Sequence, residues 1–187
     1  MVIRSAIAPA DLTAILFHQA STPWALEVET DLPQANTALA LENHATRINH
    51  NQTDVSGWLD ADILRLWRTG ATMNIDTAID IGGAIGTPVY APMTGTVVLI
   101  SEYLLEDRIP DIEIHIQPDG RPDLDCVVIH TTDPVVKAGD HVEAGVTQIS
   151  SVRDLSGDLD GIQLAEYTPE GDGGNHAHVQ LNNAEFE

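Results

Sequence analysis

The sequence predicts an all-β fold, built mainly from an antiparallel sheet. From Ala78 onward, short β-type apolar runs are separated by Gly, Pro and Asp residues, at a density typical of a sandwich or a barrel-like sheet. No strand alternates with a long helical pattern, which argues against a parallel βαβ architecture. The 187 residues, 43% of them hydrophobic, are enough for one domain with its own core and an appended segment.

Residues 1–73 are predicted to form an N-terminal extension of mixed or irregular structure. Leu12–Phe17 is an apolar run that fits a strand or a piece of buried helix. A polar stretch rich in Thr, Asn and Ala follows and ends near Asp54. In Leu59–Trp67 the apolar positions fit both helical spacing and the alternation of a strand, so the type of this segment stays open.

Residues 74–187 are predicted to form the β domain itself. Glycines that separate its apolar runs suit tight turns and the close approach of neighbouring strands. The predicted strands are, in chain order, Ile79–Ile81, Pro88–Ala91, Gly95–Ile100, Ile112–Ile116, Cys126–His130, His141–Val142, Val146–Val152, Ile162–Ala165 and His176–Leu181.

The charge of the chain limits its partners. Acidic residues outnumber basic residues by 29 to 8, which gives a formal net charge of -21. Such a surface repels phosphate groups, so we expect neither nucleic acid nor an anionic membrane as a partner. The sequence has no basic N-terminal region followed by an apolar stretch, and no apolar segment of membrane-spanning length. We therefore expect either a cytoplasmic chain or a piece of a longer exported one.

Two histidines near the C-terminus indicate a metal site. His176 and His178 lie two residues apart in a strand-like stretch. Side chains at this spacing point to the same face of a strand, so both imidazoles can reach one ion, or one can bind while the other moves protons. The pattern is weak by itself. It gains weight from Asp76 and Asp80, four residues apart, which stand just before a glycine-punctuated run.

Several motifs follow one another in a fixed order along residues 74–182. They are Asp80-Ile81, Gly86-Thr87-Pro88-Val89-Tyr90-Ala91-Pro92, Gly95-Thr96-Val97-Val98, His130, Val136-Lys137-Ala138-Gly139-Asp140-His141-Val142 and Asn175-His176-Ala177-His178. This order resembles the lysostaphin/LytM-type metallopeptidases, family M23. The resemblance implies an antiparallel sheet with an open groove, one zinc ion, and cleavage of peptide bonds in bacterial cell-wall peptidoglycan. It also implies an extracytoplasmic or cell-wall location.

The resemblance assigns roles to individual residues. The HxxxD motif of the family falls on Asp76 and Asp80, which with His178 are the implied metal ligands. His176 and His130 are the implied catalytic pair. The sequence departs from the family at Asp76, which stands where the family has histidine.

The departure changes the chemistry expected of the ion. Two carboxylates and one imidazole formally cancel the charge of a divalent ion, so we expect a weaker Lewis acid and a less acidified water. Aspartate is still a competent zinc ligand, and another divalent metal can also bind. His18, beside the apolar run that ends at Phe17, could replace the missing ligand, although a lone histidine in that setting is more often structural.

The resemblance thus implies a zinc-dependent endopeptidase that acts on peptidoglycan peptides or cross-bridges. One alternative is a catalytically degenerate domain of the same fold that binds a cell-wall peptide or regulates a partner hydrolase. A second is a carrier or phosphotransfer domain with similar glycine-rich hairpins. A swinging-arm carrier needs a lysine at a hairpin tip, but the sole lysine, Lys137, lies beside Gly139-Asp140. Phosphotransfer through a residue such as His115 leaves the paired histidines unexplained.

Overall fold

The computed structural model describes residues 1–31, 39–42, 47–48, 62–67 and 76–186. Within these residues the regular structure consists of strands and short 3₁₀ segments, so the fold class is all-β. No helix in the described part of the chain has the length and hydropathy that a bilayer crossing needs. The strands are β1 (Val2–Ile3), β2 (Leu12–His18), β3 (Glu29–Thr30), β4 (Leu39–Glu42), β5 (Arg47–Ile48), β6 (Asp62–Trp67), β7 (Ala78–Gly83), β8 (Pro88–Tyr90), β9 (Gly95–Leu105), β10 (Ile109–Pro118), β11 (Leu124–Ile129), β12 (Thr131–Thr132), β13 (His141–Val142), β14 (Gln148–Val152) and β15 (His176–Asn183).

One large sheet dominates the described structure. Its ten strands run in the order β13-β9-β10-β11-β15-β7-β2-β6-β4-β5. Neighbouring strands are antiparallel except where β6 pairs in parallel with β2 and with β4. A second sheet, β12-β14-β8, is antiparallel, and β1 pairs with β3 in parallel. Four described strands of the N-terminal segment, β2, β4, β5 and β6, therefore extend the same sheet that contains β7 and β15.

One face of the central strands forms the hydrophobic core. A row of directly paired residues crosses five strands on this face: Phe17, Ile79, Val179, Val128 and Ile114. None of the five is more than 2% exposed. Burying each such side chain contributes about 1.5–3 kcal/mol, so this row fixes the register of the strands.

The opposite face of the same strands is polar near one end. Because a strand alternates its side chains, the residues next to the core row point away from it. Asp80 is paired with His178 on β15, and on its other side with Leu16 on β2. His18 is paired with Ala78, one step along the same face. The register that buries the core therefore brings Asp80, His178 and His18 to one place.

The two ambiguous N-terminal segments are strands where the structure describes them. Leu12–Phe17 lies within β2, and the end of Leu59–Trp67 from Asp62 onward is β6. The predicted domain boundary near residue 74 falls in residues 68–75, outside the described residues.

One predicted strand is wrong. Ile162–Ala165 does not pair with a strand, because this segment forms a 3₁₀ turn at Gln163–Glu166. The turn buries Leu164 in a small apolar cluster with Leu16 and Leu64. A short segment with three apolar residues among four can be buried by a turn as well as by a strand. The other predicted strands between Ile79 and Leu181 coincide with β7 to β11 and β13 to β15, with shifted ends.

Candidate metal and catalytic site

Asp80 is the centre of a cluster of imidazoles on the polar face. Its Oδ1 lies 2.8 Å from His178 Nδ1 and 3.0 Å from His18 Nε2. One ligand atom from each of these three residues lies within 4.8 Å of the other two. The three side chains are largely buried, with 9% to 14% of their surface exposed. Three adjacent strands, β2, β7 and β15, each supply one residue of this cluster.

Both ring nitrogens of His18 and of His178 face oxygen acceptors. His18 Nδ1 lies 3.0 Å from the carbonyl oxygen of Gln19, on the side of the ring away from Asp80. His178 Nε2 lies 3.2 Å from the amide oxygen of Gln180. A neutral imidazole carries one N–H and can satisfy only one of its two contacts. A cation between the two rings and the carboxylate of Asp80 would satisfy the other contact of each ring.

His176 lies beside this cluster with a fixed ring orientation. Its Nδ1–H donates to the carbonyl oxygen of Gly174 at 2.8 Å. Its Nε2 is 3.7 Å from Asp80 Oδ1, too far for a hydrogen bond. Because Nδ1 is the donor, Nε2 is the nitrogen that remains to accept a proton.

His130 completes the group of histidines. It follows β11, and its ring centroid lies 5.2 Å from that of His176 and 5.8 Å from that of His178. Its Nδ1 donates to Asp111 Oδ2 at 2.6 Å. The two histidines expected to act as a catalytic pair are therefore neighbours in the structure.

Burial controls the charges in the site. Burial lowers the pKa of His176 to about 4 and also lowers the pKa of His178. Burial alone would raise the pKa of Asp80, but its contacts with His18, His176 and His178 outweigh burial and hold that pKa well below the usual range. At neutral pH the site therefore combines the carboxylate of Asp80 with neutral imidazoles at His176 and His178, and only deprotonated groups of these types bind metals.

Four of the five residues singled out by the sequence lie together: Asp80, His130, His176 and His178. Asp76 stands just before β7, is half-buried, and accepts a hydrogen bond from Val28 through its backbone carbonyl at 2.8 Å. Its carboxylate is not part of the group of donor atoms around Asp80. His18 contributes the additional imidazole to that group.

Two further residues contact those that the sequence singled out: His18, which the sequence left as a conceivable replacement ligand, and Asp111, which it did not single out. The signal for His18 was its position at the end of an apolar run that pairs with another strand. This signal places His18 near Asp80 only when it is known that β2 lies next to β7 in the sheet. Asp111 is one of many aspartates in an acidic chain, and nothing in its local sequence sets it apart.

No family model matches the chain, and no curated protein matches it. Solved structures similar to it include a mutant of the catalytic domain of the prophage-encoded M23 protein EnpA from Enterococcus faecalis. That similarity has 20% identity over 63% of this chain and 75% of the other, with a TM-score of 0.42. For LytU the identity is 23%, over 62% of this chain and 66% of the other, with a TM-score of 0.42.

A zinc containing peptidase from Vibrio cholerae is also similar, at 18% identity over 58% of this chain, with a TM-score of 0.38. The chain spans only 27% of the length of that peptidase. The solved structures to which this all-β chain is similar thus include members of the M23 peptidase family, at low sequence identity.

Proposed function

We propose that this chain is a metal-dependent endopeptidase of the M23 type, with its metal held by His18, Asp80 and His178. The observation that carries the proposal is the convergence of these three side chains, from three adjacent strands, within 4.8 Å of one another. His130 and His176 lie beside them, where they can act on a bound substrate.

The donor set fits zinc. Two imidazoles and one carboxylate are a common catalytic set for this ion, and they leave a coordination position open. The ring nitrogen of each imidazole that does not face Asp80 contacts an oxygen acceptor, which orients the ring. His18 Nδ1 faces the carbonyl oxygen of Gln19, and His178 Nε2 faces the amide oxygen of Gln180. Such outer contacts fix the ring orientation of metal-binding histidines. With Asp80 as the single carboxylate ligand, a bound zinc ion would keep a net positive charge. With both Asp76 and Asp80 as ligands, the two carboxylates would formally cancel that charge.

Asp76 remains a competing proposal for the third ligand. Its position four residues before Asp80 supports it, as does the resemblance that assigned it. The contacts of Asp80 support His18 instead, since His18 Nε2 is already 3.0 Å from the shared carboxylate oxygen.

The residues around the centre have distinct roles under this proposal. A bound zinc ion would polarise the scissile carbonyl and increase the acidity of a water molecule. His176 and His130 present their Nε2 atoms as proton acceptors, because their Nδ1 atoms are committed to Gly174 and Asp111. They can take a proton from the attacking water and return it to the leaving amine. Protonated, the same imidazoles stabilise developing negative charge on the carbonyl oxygen.

The proposed substrate is a peptide or cross-bridge of bacterial peptidoglycan, and the proposed location is extracytoplasmic or cell-wall associated. The similarity to M23 proteins supports both. The net charge of -21 is compatible with a peptide substrate and unfavourable for nucleic acid.

The ligand assignment is tested by zinc affinity, measured by competition with a chromophoric chelator, for wild type and three variants. His18→Ala is expected to lower zinc affinity by at least about 100-fold, since even the loss of an outer contact costs 10- to 100-fold. Asp76→Ala is expected to change it little. His141→Ala is the matched control, because His141 is an exposed histidine outside the site, with 59% of its side chain accessible. A large loss of zinc affinity in Asp76→Ala, with little change in His18→Ala, would instead support Asp76, Asp80 and His178 as the metal ligands.

The catalytic proposal is tested separately by incubating the zinc-loaded chain with purified peptidoglycan and with a glycine-rich peptide. Cleavage that is abolished in His176→Ala supports an endopeptidase. A chain that binds zinc tightly but cleaves neither substrate would instead be a degenerate binding or regulatory domain.

A further inference from the structure

The buried carboxylate of Asp111 accepts a hydrogen bond from the Nδ1 atom of His130. The side chain of Asp111 has no exposed surface. Its Oδ2 accepts hydrogen bonds from His130 Nδ1 at 2.6 Å and from the hydroxyl of Tyr103 at 2.7 Å. Its Oδ1 accepts from the backbone N–H of Ile112 at 2.9 Å and lies 3.3 Å from Arg153 Nη1. Four donors therefore surround one carboxylate.

These contacts determine which nitrogen of His130 carries the proton. A carboxylate surrounded by donors remains ionised, and the pKa of Asp111 is lowered because these contacts outweigh burial. An ionised carboxylate only accepts hydrogen bonds, so His130 Nδ1 must be the protonated nitrogen. In the neutral ring, Nε2 is then the nitrogen that carries no proton and can accept one.

The backbone at His130 supports a constrained role. Its φ is +64°, in the left-handed region that residues other than glycine seldom occupy. Such conformations persist where the surroundings fix them, and they cluster at functional sites. Here β11 ends on one side of His130 and β12 begins on the other.

We propose that Asp111 is a positioning residue that fixes the Nδ1–H tautomer of His130 and so presents Nε2 for proton transfer. The inference rests on the proposed peptidase function. His130 Nε2 takes a proton as the O–H bond of the attacking water breaks and the new C–O bond forms. The C–N bond then breaks, and the same proton passes from Nε2 to the leaving nitrogen. Asp111 stays ionised throughout and stabilises the transient imidazolium.

The surroundings of Asp111 predict what an asparagine would do there. The NH₂ of the introduced amide cannot face Ile112 N–H and Arg153, because both of these groups can only donate. It must therefore occupy the position of Oδ2, opposite His130 and Tyr103, which can both become acceptors. Asp111→Asn is thus expected to move the proton of His130 from Nδ1 to Nε2, which blocks Nε2 as a base.

The tautomer can be observed directly by NMR. The ¹⁵N chemical shifts of the imidazole separate a protonated from an unprotonated nitrogen, and His130→Gln identifies the signals of His130. In zinc-loaded wild type at pH 8, Nδ1 is expected to be protonated and Nε2 unprotonated. In Asp111→Asn the two are expected to exchange. A wild-type His130 protonated at Nε2 would overturn the proposal, and this wild-type measurement needs no substrate.

The kinetic test uses a matched substitution. Asp125 is also a buried aspartate paired with a histidine, with its Oδ2 2.5 Å from His115 Nδ1, but it lies outside the site. Asp111→Asn is expected to lower kcat by about 10²- to 10⁴-fold, the usual contribution of general acid–base catalysis, with KM little changed. Asp125→Asn is expected to retain the kcat of wild type.

Equal losses in the two variants, or none in Asp111→Asn, would overturn the positioning role while leaving the peptidase proposal intact. A wild type without activity, but with the expected tautomer, would remove the peptidase proposal and keep Asp111 as the residue that orients His130.

Discussion

At the scale of single residues, Gly174 sets the geometry of the histidine pair. It has a φ of +77°, and a Cβ built on it would lie 2.4 Å from the backbone nitrogen of Ala165. Its carbonyl accepts the hydrogen bond that orients His176. Only glycine combines that backbone conformation with the close approach of the Gln163–Glu166 turn.

We predict that Gly174→Ala destabilises the protein by about 2 kcal/mol or more, because the left-handed conformation alone costs about 1–2 kcal/mol and a backbone overlap is added. The measurement is urea unfolding at neutral pH. Gly86→Ala is the control, since Gly86 has a φ of +83° but no atom within 4 Å of a built Cβ. Equal losses at the two positions would show that the contact with Ala165 relaxes at no cost.

At the scale of elements, the pair β10–β11 carries a second group of ionisable side chains on the polar face. His115 Nδ1 lies 2.5 Å from Asp125 Oδ2, and His115 Nε2 is 3.5 Å from Glu113 Oε1. Ser101 on β9 donates to Glu113 at 2.6 Å. These contacts link three neighbouring strands through side chains as well as through the backbone.

The stability of these strands is expected to depend on pH through His115. Burial lowers its pKa, but the carboxylates of Asp125 and Glu113 outweigh burial and raise it above the usual value. A histidine with a raised folded pKa stabilises fully below its unfolded pKa of about 6.5, and that contribution disappears as the pH rises through the folded value.

We therefore predict that His115→Gln costs more free energy of unfolding at pH 5.5 than at pH 9. Urea unfolding of wild type and variant at both pH values measures the difference. His141→Gln is the control, because its contact with Asp119 is exposed and exposed pairs contribute little. A cost for His115→Gln that is the same at both pH values would contradict the prediction.

At the scale of the whole molecule, a net charge of -21 acts against the compact state. The chain has 29 acidic and 8 basic residues, so self-repulsion remains after the surface ion pairs are formed. Added salt screens this repulsion, because the Debye length falls from about 30 Å at 0.01 M to about 8 Å at 0.15 M.

We predict that the Tm rises as NaCl is increased from 0.01 M to 0.5 M, with most of the rise at the low end, because screening changes most there. Differential scanning calorimetry at a fixed pH and without added metal measures it. Sucrose at matched osmolality is the control, since it stabilises without screening charge. A Tm that falls with NaCl would mean that ion pairs, rather than net repulsion, dominate.

The sequence by itself determined the fold class and most of the strands. Alternating apolar positions and glycine turns are local signals, and they located β7, β9, β10, β11 and β15. The same local signals wrongly predicted a strand at Ile162–Ala165, where a 3₁₀ turn buries Leu164 in an apolar cluster. The spacing of His176 and His178 was also sufficient to place both on one strand face.

Only the tertiary structure determined which other residues lie beside these histidines in the site. His18 lies 62 residues before Asp80, and Asp111 lies 19 residues before His130. No periodicity connects residues at such separations, because their distance depends on which strands are neighbours and in what register. Burial of the core row that includes Phe17 and Ile79 sets that register, and with it the place of His18 beside Asp80.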